Sequence, residues 1–267
     1  MCRYIRVIAV LLVAMGYGAA LGAEQKPYWL DKAKEVHAGF AGDRGFVAQF
    51  GDSITYSMAF WSVFDWCDPL PFLKDDGLPK QPEQRWRDVI KGTRAKEPEN
   101  GNYSGWTVGK LLEHIDGAIS RNKPEVAIIM IGTNDISGGK VPEGYREGLQ
   151  KVIDKCVAAR CIPILNTIPP KRGAMKAVEE ANGIIRELAT KNQVPLVDYY
   201  GEILKRRPGE SWDGTLIDAD GVHPTAGETG KFDEANLAKS GYALRNWTNF
   251  LMYREIYFTV LSPTSGR

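Results

Sequence analysis

Four apolar runs punctuate the chain: FVAQF at 46–50, VAIIMI at 126–131, IPILNT at 162–167 and VPLVD at 194–198. Runs this short, rich in β-branched residues and lacking polar alternation, predict strands covered on both faces. Between them, apolar positions recur at helical spacing over Trp106–Arg121, Pro142–Arg160 and Ala174–Asn192. The second of these opens on a proline, which suits a first helical turn. The alternation predicts an α/β fold: a parallel sheet, helices on both faces, and ligands at the carboxyl ends of the strands. A sheet of about five strands requires one more, hidden in the irregular sequence before Gly105.

Two stretches break the alternation. Trp61–Asn100, rich in Pro, Trp and charge, has no period and reads as a long loop with short helical turns, ordered by its Trp and Phe residues. Glu234–Leu261 reads as one closing helix that docks aromatic side chains on the body. At the N-terminus, Arg3 and Arg6 precede an apolar run that ends in small residues around Ala20 and Ala23. That order predicts a signal peptide over residues 1–23 and a single domain over 24–267; the rival reading is a retained membrane anchor. Export places the protein outside the cell or in the periplasm, with no stable membrane association once the segment is cleaved.

Composition narrows the partners. The chain is 43% hydrophobic and 25% charged, with a formal charge of +1, so no net field favours nucleic acid or an anionic membrane. Cys2 leaves with the signal segment, and Cys67, Cys156 and Cys161 remain. An odd count argues against a disulfide scaffold. Cys156 and Cys161 are the pair that export would allow, provided a helix ends between them; ordinary buried thiols are the simpler reading.

Chemistry is sparse. The chain has three histidines. His37 and His114 fall on helical patterns and read as packing residues. His223 lies in DADGVHPTAG, a turn-rich loop with Asp220 three residues earlier. A serine hydroxyl needs a base to take its proton, and the base works best when a third group fixes its tautomer. Asp220 and His223 form such a pair, and Ser53 in AQFGDSITYS is the candidate nucleophile, although a helix cap explains that turn equally well. NGNYSGWT around Gly105 and GTND with Asn134 offer neutral donors for an oxyanion. No G-x-S-x-G elbow, Walker loop, H-E-x-x-H or zinc-spaced cysteine pair is present, so neither a metal nor a cofactor is predicted.

Taken together and in this order, GDSIT, NYSG, GTND and DGVHP resemble the four blocks of the SGNH hydrolases, also called GDSL esterases. The resemblance spans Phe46 to Pro224. It implies a three-layer α/β/α fold with a flavodoxin-like parallel sheet, and metal-free hydrolysis of acyl esters. It also implies roles: Ser53 as nucleophile, His223 as base oriented by Asp220, and Ser53, Gly105 and Asn134 as oxyanion donors. Trp106 after Gly105 and the long 61–100 insert depart from the family pattern where substrate should arrive. Trp106 and Tyr56 are therefore candidate substrate contacts.

The expected substrate is a small-molecule or glycan ester, with acetyl esters of carbohydrates favoured. Trp61, Trp66, Trp86 and Trp106 can serve as sugar platforms or as ordinary packing. The alternatives are a catalytically silent glycan- or protein-binding domain of the same fold, and a lysophospholipase-like lipid hydrolase. The complete set of catalytic residue types argues against the first, and the lack of a basic amphipathic helix against the second.

Overall fold

Each of the four apolar runs contains a strand. The computed structural model describes residues 26–262, and the expected signal peptide, 1–23, lies outside the described residues. The strands are β1 (Asp43–Gly51), β2 (Pro124–Met130), β3 (Ile162–Asn166) and β4 (Leu196–Val197), all parallel and adjacent in chain order. Every residue of β2 and β3 is buried, as runs without polar alternation require.

The helices follow from this order. α1 (Leu30–His37) precedes β1, the short α2 (Ser53–Tyr56) follows it, and α3 (Trp86–Val89) lies in the irregular insert. The crossovers carry α4 (Val108–Asn122), α5 (Tyr145–Ala158) and α6 (Met175–Asn192). Each crossover advances one strand in the same direction, so right-handed connections place all three helices on one face, where α4 packs on α5 and α5 on α6. After β4 come α7 (Tyr199–Arg206), α8 (Glu234–Leu237) and α9 (Gly241–Ile256). α1 packs on β3, and α9 on β4 and α7, which covers the second face. The result is the three-layer α/β/α architecture.

Two expectations need correction. The hidden fifth strand is only a pair of isolated bridges on the outer edge of β1. Val47 N donates to the Lys91 carbonyl (3.1 Å), and further along Gly51 N donates to the Gly101 carbonyl (3.1 Å). Between them Gly92 turns at φ 74° and Pro98 has no N–H to give, so the chain leaves the ladder. The closing helix is also broken, between α8 and α9. Ser240 caps α9 through its hydroxyl (3.1 Å to Ala243 N), and Gly241 lies so close to Leu216 that a Cβ there would sit 2.1 Å from its carbonyl oxygen.

The insert is ordered, as its aromatic content predicts. Trp61 and Phe64 pack edge to face at 4.7 Å, and Trp86 meets Phe250 of α9 at 5.1 Å. The buried Arg254 guanidinium grips the insert through the Asp76 carboxylate (2.6 and 2.9 Å) and the Leu78 carbonyl (2.8 Å). α5 does end between Cys156 and Cys161, yet both remain buried free thiols, as does Cys67.

β1 and β2 approach closely at Gly51, where a Cβ would lie 2.3 Å from the Met130 carbonyl oxygen. Backbone cannot yield there, so Gly51→Ala should destabilise the fold by about 1–3 kcal/mol. Urea denaturation measures it.

Candidate active site

β1 ends at Gly51 and α2 begins at Ser53, so a single residue, Asp52, makes the turn. Its carboxylate caps the helix by accepting from Ile54 N (3.1 Å). The turn presents Ser53 Oγ 2.8 Å from His223 Nε2, and His223 Nδ1 lies 2.6 Å from Asp220 Oδ2. An ionised carboxylate only accepts, so Nδ1 carries the proton and neutral Nε2 is left to accept from the serine hydroxyl. Asp220 Oδ1 accepts from Val222 N (2.9 Å) and His223 N (3.0 Å). Burial works to raise the Asp220 carboxyl, but the hydrogen bonds from the His223 ring and the two backbone N–H groups outweigh it and hold it below its usual value.

The donor segments lie beside this relay. Gly51 pairs with both Gly101 and Tyr103, which brings the Gly105 turn alongside the end of β1. Gly105 adopts φ 79° with no neighbour within reach of a Cβ, so the backbone angle, not space, calls for glycine there. Asn134 follows β2 and gives one amide hydrogen to the Trp106 carbonyl (3.0 Å), leaving the other free. Next to it, Asp135 accepts from Val108 N (3.1 Å), tying the GTND turn to the start of α4. Among the described residues, neither Ser53 N nor Gly105 N donates to another group.

Residues that sequence reasoning passed over hold the loops in place. Arg172 reaches the Asp213 carboxylate with two bonds of 2.6 Å and the Ala219 carbonyl at 3.0 Å, bracing the Asp220–His223 loop. Gly221 turns at φ 74° against the Arg172 side chain. Lys171 donates to the Thr133 carbonyl (2.9 Å) and Ser137 Oγ (3.1 Å), joining the β3 loop to the GTND turn. The KRG of TIPPKRG was the available sign, since paired cations at a strand's carboxyl end need acceptors.

Beneath Ser53 the site is buried and lined by basic side chains. Arg245 of α9 donates to the Ile54 carbonyl (2.9 Å) and Thr55 Oγ1 (2.8 Å), and Lys96 donates to the Thr55 carbonyl (2.8 Å) and to Gln49. Burial pushes the Arg245 guanidinium down to about 10 and the Lys96 ammonium well below its ordinary value, to which the Arg245 charge adds. Burial likewise pushes Asp52 up to about 6, against the pull of Ile54 N–H, Arg245 and His223.

The two expected substrate contacts fare differently. Trp106 is buried and its ring stacks on His114 (4.6 Å), because α4 starts there and presents an apolar face, while its carbonyl accepts from Asn134. Tyr56, on the same short helix as Ser53, is half-buried and packs with the exposed Tyr103 at 5.1 Å. His114 thus packs as expected, and so does His37, on Glu125 (2.8 Å).

The profile of the GDSL-like lipase/acylhydrolase family matches residues 50–227, most of the chain, and the chain belongs to that family. Its members hydrolyse ester bonds, and this chain is an ester hydrolase of that class. Among its relatives, an uncharacterized lipoprotein of Bacillus subtilis is 26% identical over 71% of this chain and 85% of its own length. An arylesterase of Vibrio mimicus is 28% identical over 47% of this chain and 60% of its own. The fold is shared with the solved acetyl xylan esterase AlAXEase (TM-score 0.51, 18% identity, 79% of this chain and 97% of that one).

The buried Asp52 gives a pH signature. A carboxyl that holds its proton more tightly when folded stabilises the fold below its ordinary 3.8 and loses that contribution as pH rises through about 6. Asp52→Asn keeps the cap and removes the charge. The variant should match wild type near pH 4 and gain roughly 2–3 kcal/mol on it by about pH 7, read from urea midpoints across that range.

Proposed function

We propose that the chain is an exported serine esterase that removes acyl groups, acetyl foremost, from carbohydrate or other small esters, with residues 1–23 as signal peptide and 24–267 as one hydrolase domain. The observation that carries this reading is the unbroken relay from Ser53 Oγ through His223 to Asp220. Export is supported by the pattern at the N-terminus and by a relative named as a lipoprotein. Among the described residues, no helix is long and apolar enough to cross a membrane.

The chemistry runs through this chain's own atoms. His223 Nε2 takes the Ser53 proton as Oγ bonds to the ester carbon, and the carbonyl oxygen becomes an oxyanion facing Ser53 N–H, Gly105 N–H and the free hydrogen of Asn134 Nδ2. The imidazolium is stabilised by Asp220 and returns the proton to the departing alcohol, leaving an acyl-serine. Water then repeats the sequence, with His223 taking its proton, and the acid leaves. Neutral donors suit this task because they hold the developing charge without pairing to a resting carboxylate.

Ser53→Ala should abolish turnover of p-nitrophenyl acetate, while Asn134→Ala should lower kcat by about 10²–10³ with little change in KM. A silent binding domain predicts no wild-type turnover to lose. Equal rates for wild type and Ser53→Ala overturn the esterase assignment for this serine.

A further inference from the structure

We propose that the cleft beside Trp66 is a glycan-binding subsite that holds a sugar ring of the substrate remote from the ester being cleaved; the proposal rests on the carbohydrate-ester reading above. Of the four tryptophans that the sequence offers as platforms, Trp61, Trp86 and Trp106 are 0%, 2% and 6% exposed, whereas Trp66 is 62% exposed. It lines a cavity of about 380 Å³ together with Asp68, Gln81, Arg85, Trp86 and Arg87. That volume lies within the roughly 300–1,000 Å³ typical of ligand sites.

The lining fits a sugar. A pyranose ring has an apolar C–H face that lies on an indole and a rim of hydroxyls that need directed partners. The rim partners are present and unengaged: among the described residues Gln81 and Arg85 make no side-chain hydrogen bond, and Arg87 has only a long 3.9 Å contact with Asp88. Asp68 spends Oδ1 on Leu70 N (3.1 Å) and keeps Oδ2. A guanidinium fork and a side-chain amide each bond to neighbouring hydroxyls, and a carboxylate accepts from them. Two guanidinium groups against one carboxylate also favour a glycan carrying acidic sugars. An acyl chain would leave these groups unpaired.

The cleft is also built rather than incidental. Gly230 lies against the Trp66 ring, where a Cβ would come within 2.8 Å of it, and Cys67 Sγ donates to the Gly230 carbonyl (3.3 Å). Asp65, one residue before Trp66, is held by Thr93 and Arg94. The two stretches of chain that meet here follow the candidate catalytic segments in sequence, Trp66 ten residues beyond the end of α2 and Gly230 seven beyond His223. A preformed platform loses little ordering entropy on binding.

The test compares Trp66→Ala with wild type on p-nitrophenyl acetate and on acetylated xylo-oligosaccharides of increasing length, neutral and glucuronosyl-substituted. Wild-type KM should fall as the oligosaccharide lengthens. The variant should keep wild-type kinetics on p-nitrophenyl acetate, which also reports its folding, and lose the length dependence, with KM for the long substrates up about tenfold and kcat unchanged. An unaltered KM in Trp66→Ala on long substrates that wild type cleaves overturns the subsite alone. Wild type that cleaves p-nitrophenyl acetate but no acetylated oligosaccharide overturns the carbohydrate reading, and the subsite with it.

Discussion

The structure depends on how a four-residue helix is held. α2 is too short to pair its own backbone: its first N–H groups and last carbonyls have no partner within it. Asp52 answers at one end, and Arg245 and Lys96 at the other. Both cations are nearly or wholly buried, and neither has a carboxylate within ion-pair distance among the described residues. Carbonyl dipoles and the Phe60 ring, 3.6 Å from the Arg245 guanidinium carbon, take the place of counter-ions. Burying a charge this way is costly unless hydrogen bonds compensate it, so moving the helix would cost both side chains the carbonyls that accept from them.

The same helix that supplies Arg245 also holds the His223 loop. At its start, Gly241 N donates to Thr225 Oγ1 (2.9 Å) and Tyr242 N to the Thr225 carbonyl (3.0 Å), two residues beyond His223. Arg245 follows about one helical turn later. α9 is thus a ruler with the His223 loop at one mark and the Ser53 helix at the other. The close approach of Gly241 to Leu216 and Pro224 fixes where the ruler begins. Asn246 and Asn249 extend this anchoring, bonding to the Ala59 carbonyl (2.9 Å) and to Asn166 (2.8 Å).

This explains what the sequence made legible. The strands stood out because a parallel sheet covered on both faces leaves uninterrupted apolar runs, and Ser53, Gly105, Asn134, Asp220 and His223 stood out because their turns carry recognisable residue patterns. α9 did not. A helix buried all round has no polar face, so its aromatics suggest docking while Arg245, Asn246, Asn249 and Arg254 look like surface residues until their acceptors are known. Those acceptors are either backbone carbonyls, which leave no trace in residue identity, or side chains far away in the sequence, such as Thr55, Asp76 and Asn166. Trp106 was hard to place for a related reason: it adjoins Gly105 in the candidate oxyanion segment, but its ring packs on His114 of the neighbouring helix.

The site divides into a buried half under Ser53 and a solvent-exposed half around His223. His223 and Asp220 have side chains 41% and 49% exposed, so the Coulomb attraction between them is weak in stability terms. What Asp220 contributes on the proposed reading is orientation. Two backbone N–H groups fix Oδ1, which turns Oδ2 toward Nδ1 and leaves Nε2 as the acceptor. His223 stays in contact with solvent, from which, on that reading, the second half-reaction draws its water. Ser53, the nucleophile on the same reading, sits on a helix whose carbonyls are held by side chains buried from solvent. Precision is placed where a fraction of an ångström changes the attack, and access where a reactant has to arrive.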